Sequence, residues 1–150
     1  MKFLQRYPRL LELAYVTSRR LLYPFRYWLK PHGILGSLLV VTERFIKGAV
    51  FDCHMCGQCV LHTTGMTCPM TCPKNLRNGP CGGVRPNGNC EIIPDMPCIW
   101  VQAWKHTKSM PIYGQDILQI LPPLNQQLKG TSAWVNDFNN LADPPRGWKE

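Results

Sequence analysis

All eight cysteines of this 150-residue chain fall between positions 53 and 98, and the flanking stretches 1–52 and 99–150 contain none. Thiols crowded in this way cannot staple the chain as a whole, so they must hold something local. They run Cys53-His54-Met55-Cys56-Gly57-Gln58-Cys59, Cys68-Pro69-Met70-Thr71-Cys72-Pro73 and Gly79-Pro80-Cys81-Gly82-Gly83, followed by Cys90 and Cys98. Three chemistries fit: disulfides, zinc and iron–sulfur clusters.

Disulfides need an oxidising compartment, and Met1 to Pro8 offers no apolar core of a secretory signal. A cytoplasmic location is therefore expected. Zinc takes four thiolates or imidazoles, and two all-thiolate sites would use the eight cysteines. The spacing favours clusters, because Cys53, Cys56 and Cys59 form a C-x2-C-x2-C run that wraps three ligands around one cubane, and Cys72-Pro73 supplies the later cysteine followed by proline. Two [4Fe–4S] clusters are the leading expectation and zinc is the alternative. Cys53, Cys56 and Cys59, completed by Cys98, are expected in one site, and Cys68, Cys72, Cys81 and Cys90 in the other. His54 and His62 are expected beside the sites rather than as ligands, since eight thiols already complete two sites. Gly57, Gly79, Gly82 and Gly83 let backbone N–H groups turn toward sulfur, and equally they serve as plain turns.

The run Cys56-Gly57-Gln58-Cys59, Thr64-Gly65, Cys68-Pro69, the unbroken Cys72-Pro73-Lys74-Asn75-Leu76-Arg77-Asn78-Gly79-Pro80-Cys81-Gly82-Gly83, Gly88-Asn89-Cys90-Glu91 and Cys98-Ile99-Trp100 resembles the cysteine-rich C-terminal domain associated with methylenetetrahydrofolate reductase. In some bacteria that domain is a separate small subunit of the MetV type. The resemblance covers about residues 53–104. It implies an iron–sulfur accessory subunit of a folate-dependent one-carbon reductase, with FAD in a partner catalytic subunit and not in this chain.

The expected architecture is small, metal-stabilised, mainly α and irregular: a basic helical arm over 1–50, the cysteine-rich module over 51–110, and an extended tail over 111–150. With 14 prolines and 12 glycines, long uninterrupted elements have little room. The formal charge of +8 is concentrated in residues 1–50, which hold nine Lys and Arg against Glu12 and Glu43. Two clusters, at about −2 each with their thiolates, would lower the total to roughly +4.

The arm predicts a helix from Pro8 to about Leu22, with Leu10, Leu13, Ala14, Thr17 and Leu21 on one face, ended by Pro24. A short helix or turn carries Phe25, Tyr27, Trp28 and Leu29. A further helix shows Leu35, Leu38, Leu39, Thr42, Phe45 and Ile46 on one face and places Gly48 as its cap. These stripes are expected to pack on the cysteine module or on a partner protein, with Arg19, Arg20, Arg26 and Lys30 solvated. A basic amphipathic arm also suits an anionic membrane surface, the less favoured expectation. The nine-residue run Gly33–Val41 is too short to span a bilayer.

In the module, short helical turns are expected after Cys53 and around Cys72–Leu76. Lys74, Arg77 and Arg85 either offset metal-site charge or lie in solvent. The hydroxyls of Thr64, Thr67 and Thr71 either bond sulfur or cap turns. Trp100 and Trp104, at i and i+4 of a short helix from Ile99, are expected to form a lid over a metal site. The tail carries Ile117, Leu118, Ile120, Leu121, Trp134, Phe138 and Trp148 among proline and asparagine, and is expected to lie extended over a partner.

No glycine fingerprint, phosphate loop or nucleophile with a base is present, so the chain is not expected to be a complete enzyme. Two functions compete: a cluster-bearing subunit relaying electrons to the flavin-bearing partner, or a zinc-stapled subunit that only clamps it. Nucleic-acid binding by a zinc ribbon is a weaker third, and no nucleic-acid partner is expected.

Overall fold

The computed structural model describes residues 3–31 and 33–142. Four α-helices, α1 (Pro8–Leu22), α2 (Ile34–Phe51), α3 (Ile99–Thr107) and α4 (Ala133–Phe138), are joined by irregular segments and by short 3-10 turns. Among the described residues there is no β-strand, only one antiparallel bridge between Asn89 and Pro97. The expected mainly helical and irregular class is what the chain adopts.

α1 starts at Pro8, whose missing N–H costs nothing at a first helical position. Beyond it Tyr23–Phe25 forms a 3-10 turn, which leaves Tyr27 and Trp28 exposed and buries Leu29. α2 runs one turn past Gly48, the expected cap, and ends where Asp52 enters the left-handed region at φ 55° and donates its N–H to Gly48 O. The extension has a cause in packing: Phe51 joins Leu61, Met66, Cys68 and Met110 in the central apolar cluster.

Both long helices invert the orientation of their apolar stripes. Leu10, Leu13 and Leu21 of α1 are exposed, as are Leu35, Leu38, Val41, Phe45 and Ile46 of α2. The inward faces instead carry Glu12 on α1 and Gly36, Glu43, Lys47 and Phe51 on α2. The stripes therefore do not pack on the cysteine module as one expectation had it. Glu12, Glu43 and Lys47 are held there because what they meet is polar. Glu12 is fully buried, and its Oε1 accepts the N–H groups of Ile112 and Tyr113 at 3.1 and 2.7 Å. Both acids of the arm are thus used internally, and its outer surface is basic and apolar.

The segment 111–142 does not lie extended. It forms 3-10 turns at Gly114–Leu118 and Gln126–Leu128 and then folds back as α4. Tyr15 stacks against His62 at 5.2 Å and Trp134 at 5.1 Å, with Tyr113 edge-on at 6.0 Å, so arm, cysteine module and tail meet at one ring. Polar anchors secure the return. Ser132 Oγ donates to Glu43 Oε2 at 2.6 Å, Asn136 Nδ2 to Gly57 O at 2.8 Å, and Asn139 Nδ2 to Leu29 O at 2.9 Å. Leu118 and Ile120 remain exposed, and Trp148 lies outside the described residues. No helix among the described residues is long and apolar enough to cross a membrane.

Candidate metal centres

The loop after α2 turns sharply. Met55 and Gly57 both take left-handed backbone, at φ 49° and 75°, which brings Cys53, Cys56 and Cys59 around one concavity. A long side chain such as Met55 seldom occupies this region, and such residues gather at functional sites. The chain then makes a compact turn over Leu61–Met66, tied by Met66 N to Leu61 O at 2.8 Å and by Thr64 Oγ1, which lies 2.9 Å from Val60 O and 2.7 Å from Thr67 O. That turn delivers Cys68 to the same concavity. Cys53, Cys56, Cys59 and Cys68 line one hollow of about 20 Å³, walled also by Glu43, Lys47 and Phe51.

A 3-10 turn over Pro69–Thr71 separates Cys68 from Cys72. Cys72, Cys81, Cys90 and Cys98 line a second hollow of about 20 Å³, under Leu76, Met96 and Trp100. Backbone bonds explain the set: Cys90 N–H donates to Met96 O at 2.8 Å and Cys98 N–H to Gly88 O at 3.0 Å, which with the Asn89–Pro97 bridge holds these two thiols side by side.

The grouping differs from the expected one by an exchange. Cys68 belongs with the first three cysteines and Cys98 with the last group, giving two sets of four. Spacing could not reveal this, because Cys68 and Cys72 are only four residues apart yet line different hollows on either side of the 3-10 turn. All eight cysteines are free thiols. Among the described residues no three His, Cys, Asp or Glu side chains converge tightly enough to hold a single metal ion.

Backbone N–H groups point at sulfur in both sets. Met55 N–H lies 3.3 Å from Cys53 Sγ. Burial pushes the Cys68 thiol up to about 12, against the N–H of Met70. Burial likewise raises Cys53, opposed by the N–H of Met55. Cys90 is shifted the other way by the N–H groups of Ile93 and Ile92. The first set also has buried cations. Burial lowers Lys47, but the fields of Cys59, Glu43 and Cys53 outweigh it and hold its ammonium above the ordinary lysine range. Arg77 donates to Gln58 O at 3.2 Å, and its Nε is buried without a partner; burial lowers it, and Cys56 opposes.

The remaining candidates sort by what they touch. Lys74 pairs with Glu91, whose Oε1 lies 3.6 Å from Cys81 Sγ. Arg85 donates to the carbonyls of Cys90 and Glu91, which shapes the loop. Thr71 Oγ1 donates to Cys68 O at 2.6 Å, and Thr67 Oγ1 lies 3.0 Å from His106 Nδ1, so these hydroxyls serve turns. His54 is exposed and His62 is stacked on Tyr15, and neither lines a thiol hollow. Of the two tryptophans only Trp100 lines the second hollow. Trp104 is half exposed and lines a separate cavity of about 320 Å³ with Arg77, Asp116 and Gln119. Lys47, Glu43 and Ser132 escaped sequence reasoning: Lys47 stands beside Gly48, the expected cap, and nothing in sequence ties position 132 to position 43.

A family model described as the C-terminal part of methylene-tetrahydrofolate reductase matches residues 35–127, from the first turn of α2 through both thiol sets to the 3-10 turn at Gln126–Leu128. No curated protein and no solved structure matches the chain. The match spans more than half of the chain, which therefore belongs to the methylene-tetrahydrofolate reductase C-terminal family.

Proposed function

We propose that this chain is the iron–sulfur accessory subunit of a methylenetetrahydrofolate-reductase-type complex, with Cys53, Cys56, Cys59 and Cys68 holding one [4Fe–4S] cluster and Cys72, Cys81, Cys90 and Cys98 a second. The observation that carries this reading is the division of eight thiols into two sets of four. Four thiolates are the complement of one cubane, and hydrogen bonds to sulfur are among the protein's means of tuning it. When bound, such clusters accept and release single electrons. The residues themselves do the rest: Met55, Met70, Ile92 and Ile93 offer N–H groups to sulfur, while Phe51, Leu61 and Trp100 exclude water. Each hollow has room for about one water and is lined by four cysteines, the donor set that would hold a cubane.

The two sets are joined by a single three-residue 3-10 turn rising roughly 6 Å, at ~2 Å per residue, a short link that suits a relay. The partner is a flavin-bearing catalytic subunit, in which reduced flavin delivers hydride to the folate's methylene bridge. The exposed stripes of α1 and α2 support such a partner, since Ile34, Leu38, Val41 and Phe45 follow helical spacing on a face the chain leaves uncovered.

The test is iron, zinc and acid-labile sulfide content on protein purified without oxygen together with its catalytic partner. About eight iron and eight sulfide per chain, with a signal on reduction, are expected. Cys68→Ser should abolish the same signal as Cys56→Ser, and Cys98→Ser the same as Cys81→Ser. Zinc without sulfide overturns the reading and leaves a structural clamp.

A further inference from the structure

One wall of the first hollow is ionic. Glu43 and Lys47 stand one turn apart on the inner face of α2, with side chains 4% and 10% exposed and Nζ 2.5 Å from Oε1. The second carboxylate oxygen of Glu43 accepts the Ser132 hydroxyl at 2.6 Å, so the carboxylate is held from both sides. Lys47 Nζ lies 5.3 Å from the centre of the Trp134 ring on α4, and the side chain lines both the first thiol hollow and a neighbouring cavity of about 200 Å³ with Tyr15, His62, Arg77 and Asp137. The carboxylate is thus anchored on Ser132 while both charges line the thiol hollow, the ammonium in the field of Cys59 and Cys53.

A buried ion pair adds little stability over an apolar pair of the same volume. What it does add is a fixed field across the hollow. The second set has no such wall: Cys81 is exposed, and the nearby Lys74–Glu91 pair is about one-third exposed on each side chain, where water and salt screen it.

We propose that Lys47 and Glu43 form a fixed dipole that sets the reduction potential of the centre held by Cys53, Cys56, Cys59 and Cys68, independently of the second centre. Lys47 is a positioning residue, acting through its field. Reduction adds one negative charge to the centre. A buried ammonium beside it stabilises the reduced state and raises the potential, and a carboxylate opposes that. Both charges line the first hollow, so each acts on the first centre with its own sign. This inference rests on the cluster reading above.

The experiment is a dithionite titration followed by electron paramagnetic resonance on the full chain in complex with its partner. In the wild type two midpoints are expected. Lys47→Gln should lower one of them and leave the other in place. Glu43→Gln should raise that same midpoint, and Lys47→Arg, which keeps the charge, should restore the wild-type value. Opposite signs at one centre are a result that a packing role does not produce. If Lys47→Gln fails to fold, Glu43→Gln and Lys47→Arg still decide: a rise in the first and no change in the second support the dipole. Full iron and sulfide with unmoved midpoints, or with both midpoints moving together, overturns the dipole alone. Absence of iron and sulfide overturns the cluster reading and the dipole with it.

Discussion

Trp100 Nε1 donates to the carbonyl of Leu76 at 3.1 Å, and this single bond pins α3 across the loop that leads from Cys72 to Cys81. The indole is buried and forms the lid of the second thiol set. Trp100→Phe keeps the ring and loses the bond, at an expected cost of about 1 kcal/mol. Trp100→Ala should cost about 3–5 kcal/mol and open the second hollow. Metal analysis checks this: the alanine variant should lose about half its metal, all of it from the set containing Cys98.

Glu12 fixes the first helix to the tail through two backbone N–H groups, those of Ile112 and Tyr113. Removing it strands both donors in a buried place, at about 1–3 kcal/mol each. Glu12→Ala is therefore expected to destabilise by about 2–6 kcal/mol, and Glu12→Gln, which keeps an acceptor oxygen, by clearly less. Chemical denaturation of both variants tests the order. Proteolytic nicking near Tyr113 should rise only in the alanine variant.

Gly57 has φ +75°, and a Cβ placed there would meet the backbone oxygen of Leu128. The same approach is tied by Gly130 N–H to Met55 O at 2.7 Å and by Asn136 to Gly57 O. Gly57→Ala is expected to cost the ~1–2 kcal/mol of left-handed strain plus the displacement of the 3-10 turn at Gln126–Leu128. Gly82, at φ +80° with open space around it, serves as the control. Its alanine variant should show the strain alone, and thermal unfolding of the two should separate them.

Burial lowers His62 below the ordinary histidine range, with its ring between Tyr15 and Tyr113 and its Nδ1 buried without a partner. A histidine depressed in the folded state binds its proton more readily once unfolded. Above about pH 6.5 both states are neutral there, and stability is lost as the pH falls below that value, by up to about 1.4 kcal/mol per pH unit. His62→Phe keeps the stacking and removes the proton. Denaturation midpoints at pH 7.5 and 5.5 should differ less in the variant than in the wild type.

What sequence could reveal here follows from which interactions are local. Pro8 fixes the start of α1, and the spacing of Cys53, Cys56 and Cys59 brings three thiols to one loop without help from afar. The assignment of Cys68 and Cys98 depends on the Leu61–Met66 turn and on the bridge between Asn89 and Pro97, pairings that leave no periodic trace. Helical periodicity located the apolar stripes of α1 and α2 but could not say which way they face. In an ordinary domain such a stripe turns inward, whereas Glu12, Glu43 and Lys47 claim the inner face here. The return of α4 was illegible for a similar reason, since its anchors are the side chains of Ser132, Asn136 and Asn139 bonding to groups far away in the chain.

The order in which the chain is made gives that return a further meaning. Cys53, Cys56, Cys59 and Cys68 all leave the ribosome well before Ser132 and Asn136, which close over them by bonding Glu43 and Gly57. Until those residues arrive, the loop that carries the first thiols lacks these two anchors. Once they bond, the loop is shut from behind. A chain halted before residue 131 would carry all eight thiols with the loop behind the first set still unclosed.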